Sequence, residues 1–181
     1  MRLFIAVFPP AHVQRVAHEA TAPLRASDEK VSWVRPENLH FTMRFLGECD
    51  AEARPHAEDA LRITARAHTR FGAALGGFGA FPAAKRARVL WLGLLQGAEA
   101  MRLMSETLEQ ALRRKGFEPA DETFEPHLTV GRVRTAGDWT GRLLDAPSPE
   151  ARFQIDTLAL VQSALGPGGA RYEVLSTAEL K

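Results

Sequence analysis

The chain has 181 residues, a net charge of +1 and a single cysteine, Cys49. The length gives one domain or two small lobes, with a core that buries roughly 70% of the unfolded surface. The charge balance excludes a polycation, the lone thiol excludes an intrachain disulfide and suits a reducing compartment, and no apolar run reaches the ~18 residues of a membrane span.

Residues 3–8 form a short apolar run ended by Pro9 and Pro10 and read as a buried strand. That run is too short for a signal peptide, so a soluble cytoplasmic protein is expected. Pro10 suits a helix start, and Val13, Val16, Ala17, Ala20 and Leu24 follow at helical spacing up to a break at 27–30. Residues 31–34 predict a short strand, 35–38 a turn, and 39–46 another strand. Residues 51–68 predict a helix with Ala57, Ala60, Leu61 and Ala65 on one side. The glycine-studded stretch 71–81 predicts a bent strand, and 89–95 a fully buried one. Met101, Met104, Leu108, Ala111 and Leu112 form a helical stripe closed by Gly116. Residues 127–133 predict a strand, 137–150 a polar loop, and 153–163 and 171–176 two last strands joined by a turn at 165–169.

Two of these strands share a pattern. His40-Phe41-Thr42-Met43 and His127-Leu128-Thr129-Val130 each read His, apolar, Thr, apolar. Alternation in a strand puts the His and Thr on one face and the apolar pair on the other. The copies lie 87 residues apart, near half the chain, so two similar lobes are expected, each supplying one copy. Histidine titrates near pH 6.5, so one imidazole of a converging pair can accept a proton while the other donates one. Threonine hydroxyls can donate to phosphoryl oxygens. The combination fits the opening of a strained cyclic phosphodiester without metal or cofactor.

The remaining candidates have plainer readings. His12, His18, His56 and His68 fall on predicted helices with no partner motif and are expected on the solvated surface. No His-Glu-x-x-His spacing or Cys/His cluster points to a metal. Cys49 reads as a small buried or incidental residue. Lys85-Arg86-Ala87-Arg88 is a basic loop, either simply solvated or close enough to the cleft to hold nucleic-acid phosphates, in which case affinity falls with salt. Trp33 and Trp91 are expected in the core. Phe124, beside the second motif, is the better candidate for stacking on a base. Alternation places Arg44 on the His40/Thr42 face and Arg132 off the His127/Thr129 face, unless a bulge re-aims it.

The residues around both motifs resemble the bacterial and archaeal RNA 2′,3′-cyclic phosphodiesterases of the two-histidine phosphoesterase superfamily, historically labelled 2′-5′ RNA ligases. The matches include residues 1–6, 31–42, 45–47, 89–93, 124–132, 162–163 and 169–172. The resemblance implies an α+β fold over residues 1–181: two pseudo-symmetric lobes, each a mostly antiparallel sheet with helices on the outer face, enclosing a central cleft. It implies His40 as proton donor to the leaving 3′ oxygen, His127 as proton acceptor from water, and Thr42, Thr129 and Arg132 as substrate-binding residues. The implied product is a 2′-phosphate, with reversible 2′-5′ ligation as a side activity. RNA ends or nucleotides are the implied partners, no cofactor is required, and a monomer is the default. Other cyclic phosphates such as ADP-ribose 1″,2″-cyclic phosphate, or a role in binding or ligating RNA ends, stand as alternatives.

Overall fold

The computed structural model describes residues 1–26, 30–166 and 169–181. The break expected at 27–30 and the turn expected at 165–169 therefore lie partly outside the described residues. In chain order the elements are β1 (Arg2–Val7), α1 (Ala11–Ala20), α2 (Ala22–Arg25), β2 (Val31–Trp33), β3 (Phe41–Glu48), α3 (Ala53–Ala67), β4 (Phe71–Phe81), β5 (Ala87–Gln96), α4 (Ala98–Arg114), β6 (Leu128–Gly137), α5 (Thr140–Asp145), β7 (Arg152–Ile155), β8 (Thr157–Gly166) and β9 (Gly169–Glu179). A 3₁₀ turn at Pro36–Asn38 joins β2 to β3, and another at Ala84–Arg86 precedes β5.

All strand pairs are antiparallel, in the order β7-β4-β5-β6-β3-β1-β8-β9, with β2 on β6. Two lobes follow from the ladders. One is β3-β1-β8-β9; the other is β7-β4-β5-β6 with β2. They join through a single pair between β3 and β6, Phe41 opposite Leu128. Both residues are fully buried, and Phe41 also stacks on Phe153 of β7 at 6.3 Å between ring centroids. One hydrophobic core runs beneath both lobes, joining Leu3 and Ile5 of β1 and Leu90 and Leu92 of β5 to Leu61 of α3 and Met101, Met104 and Leu108 of α4. The helices thus cover one face of the sheet and leave the other open as a cleft.

Three expectations are corrected. The helix expected from Pro10 to Leu24 divides at Thr21, because Pro23 has no N–H to continue the backbone ladder. The loop expected at 137–150 contains α5, anchored by Trp139 (1% exposed) and Leu143 one turn apart; Pro147 and Pro149 obscured that spacing. The strand expected at 153–163 is two strands that part at Asp156. β7 joins β4 in one lobe and β8 joins β1 in the other, so this apolar run carries the chain across the lobe boundary. Gly116, at φ +89°, ends α4 as expected.

Candidate active site

The Phe41–Leu128 pair sets the two motifs side by side. In an antiparallel register, that pairing brings His40 alongside Thr129 and Thr42 alongside His127. The apolar partners go under the sheet: Phe41, Met43, Leu128 and Val130 are buried in the core, while His40, Thr42, His127 and Thr129 are half-buried on the cleft face. Nδ1–H of His40 donates to the carbonyl of Asn38 at 2.7 Å, and Nδ1–H of His127 donates to the carbonyl of Glu125 at 2.7 Å. A carbonyl can only accept, so each bond fixes the tautomer and leaves Nε2 available to a ligand.

A bulge follows each motif at the same place. On β3, Ala6 lies opposite Thr42 but Ile5 opposite Arg44, so Met43 is the extra residue. On β6, Trp91 lies opposite Thr129 but Leu90 opposite Gly131, so Val130 is the extra residue. Each bulge resets the alternation by one. Arg132 therefore pairs with Val89 on the cleft face, beside the histidines. The same shift overturns the expected position of Arg44. Its partner Ile5 belongs to the core face, and its guanidinium pairs with Glu109 of α4 at 2.8 Å and donates to the carbonyl of Glu118. The position equivalent to Arg132 in the first lobe is Phe45, opposite Phe4 and 56% exposed.

Rings surround both histidines. Phe4, Phe8 and Tyr172 lie 5.0, 5.3 and 5.2 Å from the His40 ring. Phe81 stands edge-on to His127 at 4.9 Å, with Trp91 at 6.4 Å. Trp91 thus borders the site instead of lying in the core, whereas Trp33 packs over Gly131 against the core as expected. Phe124, expected to stack on a base, is partly buried, with one side against the main core. The flanking rings were missed, although Phe4, Ala6 and Phe8 show the alternation that signals a second apolar face on β1.

Burial lowers the pKa of both histidines below 6.5. For His40 the bond to Asn38 opposes this, and the charges of His127 and Arg132 add to it. For His127 the bond to Glu125 and the Glu125 carboxylate oppose it, and Arg132 adds to it. The cleft thus favours neutral imidazoles beside a fixed guanidinium, a setting that an anion would complement. Hydrogen bonds from Thr140 hold the Asp138 carboxyl below its usual range, with smaller contributions from the charges of Lys85 and Arg142. His68 caps α3 and bonds Thr107 at 2.8 Å. Among the described residues no three His, Cys, Asp or Glu side chains gather as a metal-ligand group, and no helix is long and apolar enough to cross a membrane.

A model of LigT-like phosphoesterases matches residues 7–91. The chain is 34% identical to the RNA 2′,3′-cyclic phosphodiesterase of Thermotoga maritima, covering 97% of this chain and 93% of that one. TT0787 of Thermus thermophilus superposes with a TM-score of 0.86 at 30% identity, over 99% of this chain and 98% of that one. E. coli LigT in complex with 3′-AMP gives 0.81 at 28% identity, with the same coverage. Fold and cleft are those of the two-histidine phosphoesterases. Within that class, the chain belongs to the LigT-like phosphoesterase family.

Proposed function

We propose that the protein opens 2′,3′-cyclic phosphates on RNA ends or nucleotides to 2′-phosphates by histidine acid–base catalysis. The observation that carries this reading is the Phe41–Leu128 pair, which aligns two His-x-Thr faces whose imidazoles are both tied at Nδ1. The relative from Thermotoga maritima bears the name of the same reaction. Water attacks phosphorus in line with the P–O3′ bond. His127 Nε2 takes its proton, and protonated His40 gives one to the departing O3′. Thr42, Thr129 and Arg132 hold the non-bridging oxygens and balance the charge that gathers on them. A cyclic phosphate brings ring strain and a confined leaving group, so two placed protons and an anion clamp suffice.

The donor and acceptor roles come from resemblance, and one feature of the site bears on them. Glu125 favours the proton on His127, while His40 has the uncharged Asn38 at the equivalent position. The test is a short RNA ending in a 2′,3′-cyclic phosphate, incubated in excess EDTA with the wild type, His40→Ala and His127→Ala. The expected product is a 2′-phosphate, with each substitution costing about 10²- to 10⁴-fold. A 3′-phosphate product means that O2′, not O3′, is the leaving group. Turnover that survives either substitution, or that stops in EDTA, overturns the mechanism. Hydrolysis of ADP-ribose 1″,2″-cyclic phosphate but not RNA ends, or tight RNA binding without turnover, transfers the function to those alternatives.

A further inference from the structure

Helix α1 carries one polar side chain where its apolar stripe meets the core. Val13 and Ala17 are fully buried there, and Gln14 beside them is only 9% exposed. A buried amide costs free energy unless its donors are used. Both acceptors of its Nε2 lie in the segment that leads into β3. Nε2–H donates to the carbonyl of Leu39 at 3.0 Å and to that of Glu37 at 3.4 Å. A carbonyl can only accept, so the amide must turn its NH₂ end toward them.

The carbonyl between those two belongs to Asn38, and it accepts Nδ1–H of His40 at 2.7 Å. Three successive carbonyls are thus each met by a side chain, the outer two by Gln14 and the middle one by the histidine. The backbone here is a single 3₁₀ turn, Pro36–Asn38, closed by the Leu39 N–H on the Pro36 carbonyl at 3.1 Å. Hydrogen bonds in such a turn have poorer geometry than those of an α-helix, so one turn holds its carbonyls loosely unless it is braced. Gln14 supplies the brace from a helix of 10 residues. A longer bond, from Asn38 Nδ2 to the carbonyl of Ala170 at 3.4 Å, ties the turn to β9, the strand that brings Tyr172 against the imidazole. In the second lobe the carbonyl that holds His127 belongs to Glu125, and there the tie runs from an exposed carboxylate to Arg102 at 2.8 Å. The brace behind His40 is the buried one.

We propose that Gln14 is a positioning residue for His40, holding residues 37–39 so that the Asn38 carbonyl keeps Nδ1–H of the imidazole in place. Its importance for turnover rests on the role proposed for His40; its effect on the ring does not. An imidazole tied at Nδ1 presents Nε2 to the cleft in one direction. A neutral imidazole released from that bond can carry its proton on either nitrogen, and the ring can turn. Proton transfer to O3′ needs Nε2 within hydrogen-bond reach of that oxygen. A misplacement of about 1 Å, caused by a change remote from the chemistry, can cost about 100-fold in rate. Gln14 acts on the backbone and not on the substrate, so its loss is expected in kcat, with binding left in place.

The test removes the donor and reads the ring. Gln14→Met keeps the length of the side chain without its N–H groups, and Gln14→Asn keeps the amide but withdraws it by one methylene. Nitrogen NMR of the free protein, at a pH where both cleft histidines are neutral, reports the tautomer of each, with His40→Ala to assign the signal. The wild type is expected to hold His40 as the Nδ1–H tautomer alone. Both variants should shift it toward a mixture with the Nε2–H form, lower kcat about 10- to 100-fold and leave KM within about twofold. The limb of the pH profile due to His40 should also move to lower pH, since the bond to Asn38 opposes the effect of burial there. Val13→Ala, a cavity in the same helix, is the control: it should lower the melting temperature and leave the tautomer and kcat unchanged. If one Gln14 variant fails to fold, the other decides. An unchanged His40 tautomer overturns the inference even where kcat falls, and so does an equal shift in Val13→Ala. A tautomer shift with kcat unaffected, or in a protein that opens no cyclic phosphate, keeps Gln14 as the residue that sets the ring and overturns the proposed role of His40 instead.

Discussion

A single backbone hydrogen bond does much of the chemical preparation of each histidine. Nδ1–H of each ring is committed to a carbonyl two residues earlier, so the site differs from a pair of freely rotating imidazoles. Burial then sets the direction of both pKa shifts, and Arg132 pushes the same way. The base must be neutral in the free enzyme, and both groups titrate below 6.5. The bell of kcat/KM against pH is therefore expected to centre on the acid side of 6.5. Removing the guanidinium in Arg132→Gln relieves that push, so both pKa values rise and the bell moves to higher pH. The same substitution removes a charged donor to the phosphate and should lower kcat/KM about 10- to 100-fold. pH–rate profiles of wild type and variant check both effects. A loss of rate with no shift in the bell would mean that Arg132 binds substrate without tuning the histidines.

At the scale of elements, the bulges at Met43 and Val130 decide which residues enter the cleft. Simple alternation puts Arg44 beside His40 and buries Arg132; one extra residue in each strand reverses both assignments. The consequence for Arg44 is testable. It ties β3 to α4 through Glu109, with both side chains mostly shielded. Arg44→Ala should lower the melting temperature by a few degrees, equivalent to about 1 kcal/mol, and leave kcat/KM within about twofold. A large loss of activity at unchanged stability would return Arg44 to the cleft. Position 45 holds the other difference between the lobes, since Phe45 stands where the second lobe has Arg132. The pseudo-symmetric scaffold thus places Arg132 on one side of the cleft and Phe45 on the other.

Over the whole molecule, the relative placement of the lobes depends on a narrow contact. The ladders of the two lobes touch at Phe41 and Leu128, immediately after the two histidines, so the joint and the chemistry share the same residues. The common core below supplies the stiffness that one strand pair cannot. Leu128→Ala removes a fully buried side chain at this joint and should cost about 2–5 kcal/mol of stability, read by urea denaturation. It should also reduce kcat more than Leu61→Ala, an equally buried change under α3, because only Leu128 sets the distance between motifs. Equal effects on kcat from the two would show that the core, not the joint, aligns the site.

The two His-x-Thr copies, their half-chain spacing and most strands and helices were legible in the sequence, because they follow from local periodicity and from residue types whose chemistry is narrow. The facing of Arg44 and Arg132, the rings around each histidine, the packing of Phe124 on the core and the crossing at Asp156 were decided by tertiary structure. Each depends on which strand lies alongside. A bulge is defined by its partner's register, and a side chain two residues from a histidine in sequence tells less about its surroundings than one across the ladder.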